Sequence, residues 1–151
     1  MTEMGVEIIA KWFLSKQSME HKKLQKLCYY AQAWHCALEG KTLFPETIEA
    51  WVHGPVIPVL YRKYKSYGWQ KIPQIHFDDT TIPENSLDVL NAVYNTYANF
   101  SGEQLEALTH NEAPWIIARG NLQPFEVCSN PISFKDMHDF YLKEYQAAQD
   151  D

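Results

Sequence analysis

The stretch from Lys22 to Gly68 constrains the fold most, because its residue pattern changes three times. Apolar residues first recur at steps of three and four, the period of one α-helical face, and Gly40 follows where a helix can end. Residues 48–53 then tend to alternate apolar with polar side chains, as a half-buried strand does. A Gly-Pro pair at 54–55 breaks this alternation, and Pro58 can open a second helix. The sequence therefore predicts helix, short strand, tight turn and helix, in that order.

The remaining sequence is punctuated by signals that start and end helices. Apolar residues at helical spacing follow each of these starts, which lie at Gly5, Pro83, Ser101, Pro114 and Ser133. The run from Ser101 to Gln104 fits a capping box, in which the two side chains satisfy each other's backbone N–H groups. The sequence also predicts a further extended piece at residues 71–77. Pro73 makes this piece a candidate edge strand, because proline cannot donate to a sheet ladder.

Together these signals predict a mainly α protein of the α+β type. We expect a compact bundle of about five to six helices with a small β element around residues 47–57 and the candidate strand at 71–77. The length of 151 residues fits one domain spanning 1–151. Residues 146–151 are expected to form a frayed acidic tail.

Composition narrows the class of protein. Apolar residues make up 46% of the chain and aromatic residues 14%, which supplies enough surface for a packed core and argues against disorder. No apolar run approaches the roughly 20 residues that span a bilayer, so no membrane partner is expected. The first residues include Glu3 and Glu7 and show no signal-peptide pattern. We therefore expect a cytoplasmic protein.

Charge is unevenly distributed along the sequence. Residues 1–71 hold ten Lys or Arg against six Asp or Glu, whereas residues 72–151 hold three against thirteen. The basic half could attract an acidic partner or nucleic acid, and the acidic half would repel nucleic acid. The plainer interpretation is two solvated faces of different composition, and the overall charge of −6 is unlike that of a dedicated DNA-binding domain.

The residues that could carry chemistry do not form a recognisable site. His21, Cys28 and His35 are spaced by seven, so successive members lie roughly 10 Å apart along a helix, too far to share one metal ion. Candidate nucleophile pairs, such as Cys36 with His35, lack a nucleophile turn or another specific signature. There is no Gly-rich phosphate loop. The sequence therefore predicts no enzyme activity, no metal and no cofactor.

Three segments are less well explained by helix patterning. They are the strand and turn at 51–57, the polar helix end and Pro-Trp bend at 110–115, and a row of tyrosines interleaved with Arg62, Lys63 and Lys65. Each has a structural interpretation. The first is a strand of the core, the second a helix end whose free backbone groups are hydrogen-bonded by side chains, and the third a solvent-exposed helix face. Each also has a functional interpretation. A rigid aromatic turn can bind a protein partner at low entropic cost, and aromatic residues beside cations can bind nucleic acid.

Two blocks of sequence resemble a known family, the Panacea domain, which covers SocA-like antitoxins and GepA-like phage-associated proteins. The first block comprises KLQKLCYYAQAWH at 23–35, PETIEAW at 45–51 and HGPVIPVLY at 53–61. The second runs from Leu105 to Ala118 around LTHNEAPW at 108–115. Cys28 stands where the family typically has Leu, and His53 stands where it often has an aromatic residue.

The resemblance implies an antitoxin that binds a cognate protein toxin stoichiometrically and without catalysis. For some SocA-like relatives it also implies delivery of the toxin to a host ATP-dependent protease, as a proteolytic adaptor. We expect the partner-binding residues to be Trp51, His53, Gly54, Pro55, Val56, Tyr61, His110, Glu112, Pro114 and Trp115. One alternative is a nucleic-acid-binding transcriptional regulator that uses the Lys22/Lys23/Lys26 and Arg62/Lys63/Lys65 clusters. Another is a phage-encoded adaptor of a host enzyme.

Overall fold

The structure is a computed structural model, and it describes residues 4–150. Seven α-helices and a two-stranded antiparallel sheet make up this part of the chain. In chain order the elements are α1 (Val6–Lys16), α2 (His21–Glu39), β1 (Glu49–Trp51), β2 (Gly54–Val56), α3 (Pro58–Tyr64), a 3-10 turn (Lys65–Tyr67), α4 (Glu84–Tyr97), α5 (Gly102–His110), α6 (Ala113–Arg119) and α7 (Phe134–Gln149).

Helix α2 is the centre of the fold. Every residue from Leu24 to Ala33 is buried, because α1, α3, α4, α5, α7 and β2 pack around this helix. It ends at Gly40, whose φ of 73° is left-handed and whose N–H donates to the Cys36 carbonyl. The helix end predicted at Gly40 is therefore confirmed, and the reason is that glycine adopts this conformation without a Cβ clash.

The β element predicted around residues 47–57 is confirmed as a hairpin. Glu49, Ala50 and Trp51 pair with Val56, Pro55 and Gly54 respectively. The other edge of β1 is also occupied, since Ala50 N–H donates to the Asn130 carbonyl at 2.9 Å. Helix α2 thus packs against β2, and the segment that precedes α7 pairs with the other edge of β1.

Three details differ from the sequence predictions. Residues 71–77 do not form a strand, because Pro73 limits the pairing to a single bridge between Met19 and Ile72. The described part of the chain holds seven helices against the predicted total of about five to six, because each of the predicted start signals, including those at Pro58 and Pro114, opens a helix of its own. Helix α7 continues to Gln149, so most of the predicted tail at 146–151 is helical, while Asp151 lies outside the described residues.

The main prediction, a mainly α fold with a small β element, is confirmed. The capping box of α5 is present, with Ser101 Oγ accepting from Gln104 N–H and Ser101 N–H donating to Gln104 Oε1. Among residues 4–150, no helix combines the length and the apolar character needed to cross a bilayer.

Candidate functional site

The two sequence blocks meet in space, beside the hairpin. The indole N–H of Trp115 donates to the backbone carbonyl of Trp51 at 2.8 Å. His110 stacks on the Trp115 ring, with centroids 4.0 Å apart and planes inclined by 20°. The polar helix end and the Pro-Trp bend therefore support the strand that carries Trp51.

Residues on the outer side of the hairpin remain accessible. Trp51 is half-buried, and its indole N–H donates to Glu49 Oε1 at 2.8 Å. Its ring contacts Tyr61 edge to face at 4.9 Å between centroids. His53 at the turn is exposed, and its Nδ1 lies 3.2 Å from Glu106 Oε2. These contacts fix the rings while leaving part of each open to solvent.

An open cavity of ≈ 340 Å³ lies against this side of the hairpin. We call it the hairpin recess and define it by the residues that line it, which are Glu20, His21, Lys22, Gln25, Lys26, Trp51, His53, Val56, Tyr61, Gly68 and Trp69. Its walls are largely apolar and include Trp51, Tyr61 and Trp69, and Trp69 at its edge is 78% exposed. A recess with apolar walls and a few polar groups is typical of a binding site. Trp69 was not among the predicted partner-binding residues. The sequence offered little to indicate it, because it shows only that a tryptophan follows the helix-ending Gly68.

Lys26 lies at the wall of the hairpin recess and is only 1% exposed. Its ammonium Nζ donates to the Pro55 carbonyl at 3.2 Å. Removal from water lowers the pKa of Lys26 to about 7, despite the opposing effect of the Glu106 carboxylate. The prediction that Lys26 belongs to a surface cluster of lysines is therefore wrong, because the hairpin folds over this part of α2.

Gly54 makes this approach possible. It has a φ of 105°, and a Cβ placed on it would lie 2.9 Å from Lys26 Cε and 3.0 Å from Thr109 Oγ1. Another residue would therefore be strained in its backbone and would collide with the lysine. Next to Lys26, Gln25 exchanges two hydrogen bonds with the backbone of Ile57 at 2.8 and 3.1 Å. Consecutive side chains of α2 thus hold both the turn and the end of the hairpin.

The other predicted site residues are mostly internal. Gly54, Pro55, Val56, Pro114 and Trp115 are buried, and Trp115 is 6% exposed. Of these residues, Trp115 supports the accessible Trp51 through the hydrogen bond to its carbonyl. His110 is half-buried, its Nε2 has no partner among the described residues, and burial lowers the pKa of its imidazole.

Glu112 faces the core, where it accepts hydrogen bonds from two tyrosines. Tyr30 donates to its Oε1 at 2.7 Å and Tyr141 at 2.9 Å. Burial raises the pKa of the Glu112 carboxyl, and the two hydroxyl donors partly oppose this effect. Glu112 therefore connects α2 with α7 through Tyr30 and Tyr141.

Arg119 is a structural residue that sequence reasoning missed. It is 4% exposed, and its guanidinium donates to the carbonyl of Ala50 at 2.9 Å and to the carbonyl of Gln123 at 2.9 Å. The guanidinium also lies 5.0 Å from the centroid of the Trp115 ring. The available signal was the spacing of four between Trp115 and Arg119 on one helix, which places them on the same face.

The lysines near the start of α2 are engaged in contacts within the protein. Lys22 Nζ lies 2.8 Å from Glu106 Oε1, and Lys23 Nζ donates to the carbonyl of Ala98. Lys26 is buried, as described above. The Lys22/Lys23/Lys26 cluster is therefore not the free basic patch that nucleic-acid binding would use. On α3, Arg62 is exposed and Lys63 lies 3.4 Å from Glu7.

The structure is thus a mainly helical domain in which two sequence blocks build one supported hairpin with an aromatic recess. Residues 24–116 match the family described as antitoxin SocA-like, Panacea domain, and the chain belongs to this family. It is also similar to the antitoxin SocA of Caulobacter vibrioides (strain NA1000 / CB15N), with 31% identity over 110 residues. This match covers 64% of the chain and 58% of the relative, so the chain spans less than two thirds of that protein. No solved structure matches the chain significantly.

Proposed function

We propose that the protein is an antitoxin that neutralises a protein toxin by direct, stoichiometric binding and without catalysis. Membership of the antitoxin SocA-like family and the similarity to an antitoxin support this function. The observation that carries it is the contact between the two family-like blocks, in which Trp115 holds the strand of Trp51. The hairpin recess is the toxin-binding surface in this proposal.

The physical character of the recess supports protein binding. Trp and Tyr contribute strongly at protein interfaces, because they bury a large area at a small loss of side-chain entropy. Trp51 is already fixed by Glu49 and by the Tyr61 ring, so little further ordering is needed when a partner binds. The buried residues of the predicted set hold these rings in place. Accordingly, the accessible residues Trp51, His53 and Tyr61 are proposed to contact the toxin.

A co-expression assay tests the proposal. The product of the neighbouring open reading frame is expressed as the candidate toxin, alone and together with this protein. We expect the protein to restore growth and the double variant Trp51→Ala/His53→Ala to lose most of that rescue while keeping its helical circular dichroism. Phe125→Ala is the matched control, because Phe125 is 77% exposed and is not part of the recess.

Two outcomes would contradict the proposal. The first is a toxic neighbour that the unchanged protein binds but does not neutralise. The second is full rescue by a correctly folded double variant, which would exclude the recess as the binding surface. The level of toxin in the same cells separates two modes of action. Masking lets inactive toxin accumulate, whereas delivery to an ATP-dependent protease, which the family resemblance implies, shortens its half-life.

A further inference from the structure

The buried ammonium of Lys26 has incomplete hydrogen bonding. A lysine ammonium has three N–H donors, and within residues 4–150 the structure gives it one acceptor, the Pro55 carbonyl. No hydrogen bond joins the ammonium to the nearby Thr109 hydroxyl, which itself donates to the Glu106 carbonyl at 2.8 Å. Burying an ammonium that lacks partners is unfavourable. A negative acceptor placed at this point would therefore interact favourably with the ammonium.

Lys26 is one of the residues that line the hairpin recess, and it is 1% exposed there. The neighbouring carboxylate, Glu106, is already engaged with Lys22 at 2.8 Å and with His53 at 3.2 Å. Of the other ionisable side chains that line the recess, His21, Lys22 and His53 are basic residue types, and Glu20 is acidic. The recess therefore has more basic than acidic side chains beside its aromatic residues, which favours a negative ligand.

The ammonium is also held in position by the fold. Gly54 provides the space that Lys26 occupies, and α2, in which Gln25 and Lys26 are consecutive, holds the hairpin at Ile57 and Pro55. An ammonium restrained on a buried stretch of helix needs little reorganisation to bind a ligand. The same lysine on an exposed helix face would lose side-chain entropy and would be screened by salt.

We propose that the hairpin recess binds an acidic side chain of the partner protein, with the carboxylate accepting hydrogen bonds from Lys26 Nζ. An apolar side chain next to that acidic residue packs among Trp51, Tyr61 and Trp69. This inference rests on the proposed function, in which the partner is a protein toxin. It specifies the chemistry of the toxin segment, namely a carboxylate beside an apolar group.

Two capped dipeptides test the chemistry without the toxin. N-acetyl-Phe-Glu-amide and N-acetyl-Phe-Gln-amide have nearly the same shape and differ in charge. Each is titrated into the 15N-labelled full-length protein at pH 6, below the pKa of about 7 that burial gives Lys26. The indole N–H signals of Trp51 and Trp69 report binding. We expect the Glu peptide to shift both signals and to bind about tenfold or more tightly than the Gln peptide.

Two variants of the protein separate the roles of charge and aromatic walls. Lys26→Met keeps a side chain of similar length and should abolish the preference for Glu over Gln while leaving weak binding of both peptides. Trp69→Ala, at a side chain that is 78% exposed, should weaken both peptides equally and leave the fold unchanged. If Lys26→Met does not fold, the comparison of the two peptides on the unchanged protein and on Trp69→Ala still decides the question.

Several results would overturn the inference. It is wrong if neither peptide shifts the indole signals, if both bind equally to the unchanged protein, or if Lys26→Met keeps the preference for Glu. It is also wrong if N-acetyl-Gln-Phe with a free C-terminal carboxylate binds more tightly than the Glu peptide, because the recess would then recognise a chain end. A clear Glu preference together with failed toxin rescue would contradict the proposed function and leave the recess assignment intact.

Discussion

The two family-like blocks each present a tryptophan near the hairpin, but the two residues differ in environment. Trp51 is half-buried at the edge of the recess, whereas Trp115 is 6% exposed and donates its indole N–H to the Trp51 backbone. The first block therefore carries the accessible surface, and the second block carries its support. In the proposed function, a motif residue such as Trp115 therefore contributes to binding without touching the partner, because it holds a residue that does.

The largest expected effect on the free energy of unfolding is at Trp115, which supports the strand of Trp51. Trp115→Ala should lower the free energy of unfolding by about 3–5 kcal/mol, because it opens a cavity under β1 and removes a buried hydrogen bond. Urea denaturation followed by far-UV circular dichroism measures this change. Trp69→Ala is the matched control and should change the same quantity by less than about 0.5 kcal/mol. Equal effects at the two positions would remove the distinction between support and surface.

A second effect concerns the buried carboxylate of the supporting block. Glu112→Ala should lower the free energy of unfolding by about 2–3 kcal/mol, because the hydroxyls of Tyr30 and Tyr141 lose their acceptor in the core. Glu112→Gln keeps an acceptor oxygen and should lower it by less. Denaturation of both variants under the same conditions measures the difference. If Ala is tolerated as well as Gln, the tyrosine contacts contribute little to stability.

A smaller effect of the opposite sign, an increase in the free energy of unfolding, is expected when Lys26 is replaced. Burial lowers its pKa from 10.5 to about 7, so between these values the unfolded chain binds more protons there than the folded chain. Folding consequently becomes more favourable as the pH rises through this window. The charged groups that act on Lys26 are Glu106, which opposes the shift, and Lys22, which adds to it.

Replacing Lys26 should therefore stabilise the protein. Lys26→Met is expected to raise the free energy of unfolding by about 1–2 kcal/mol at pH 6, since it removes a buried charge. The advantage should shrink as the pH rises from about 7 towards 10.5. Denaturation curves at several pH values measure it. A destabilised variant at all pH values would show that the bond to Pro55 outweighs the burial of charge.

The smallest effect on stability, with a large effect on binding, is expected at the edge of the recess. Trp69 and Phe125 are both exposed aromatic residues, at 78% and 77%. Alanine at either position should change the free energy of unfolding by less than about 0.5 kcal/mol. Only Trp69→Ala should weaken toxin binding, by about tenfold or more, as measured by isothermal titration calorimetry. Equal loss of binding from both variants would place the toxin outside the recess.

Local sequence signals predicted the elements but not the burial of Lys26. The end of α2 at Gly40, the capping box at Ser101 and the break at Gly54 depend on neighbouring residues, and a single sequence contains that information. The position of Lys26 in a cluster of lysines indicated a surface. It is buried because Pro55, 29 residues further along the chain, folds back over it. Such a contact is set by packing between distant segments, which helical periodicity does not report.

The candidate site was predictable to a similar extent. The residues of the hairpin and the Pro-Trp bend were identified, because Gly-Pro and Pro-Trp pairs interrupt the helical pattern. The sequence could not show that Glu112 faces the core, since its partners, Tyr30 and Tyr141, come from α2 and α7. It also gave no reason to include Trp69, whose role depends on where the 3-10 turn after α3 ends beside the recess.

The high exposure of Trp69 has a consequence for how such a protein could change its partner. A residue with few internal contacts can be replaced at little cost in folding, whereas Gly54 leaves no room for any side chain next to Lys26. In the proposed function, the preference for a toxin can therefore change by substitution at the edge of the recess, while Gly54 and Lys26 stay the same. A selection library randomised at His53 and Trp69 should yield many folded proteins with altered toxin preference, and one randomised at Gly54 should yield few.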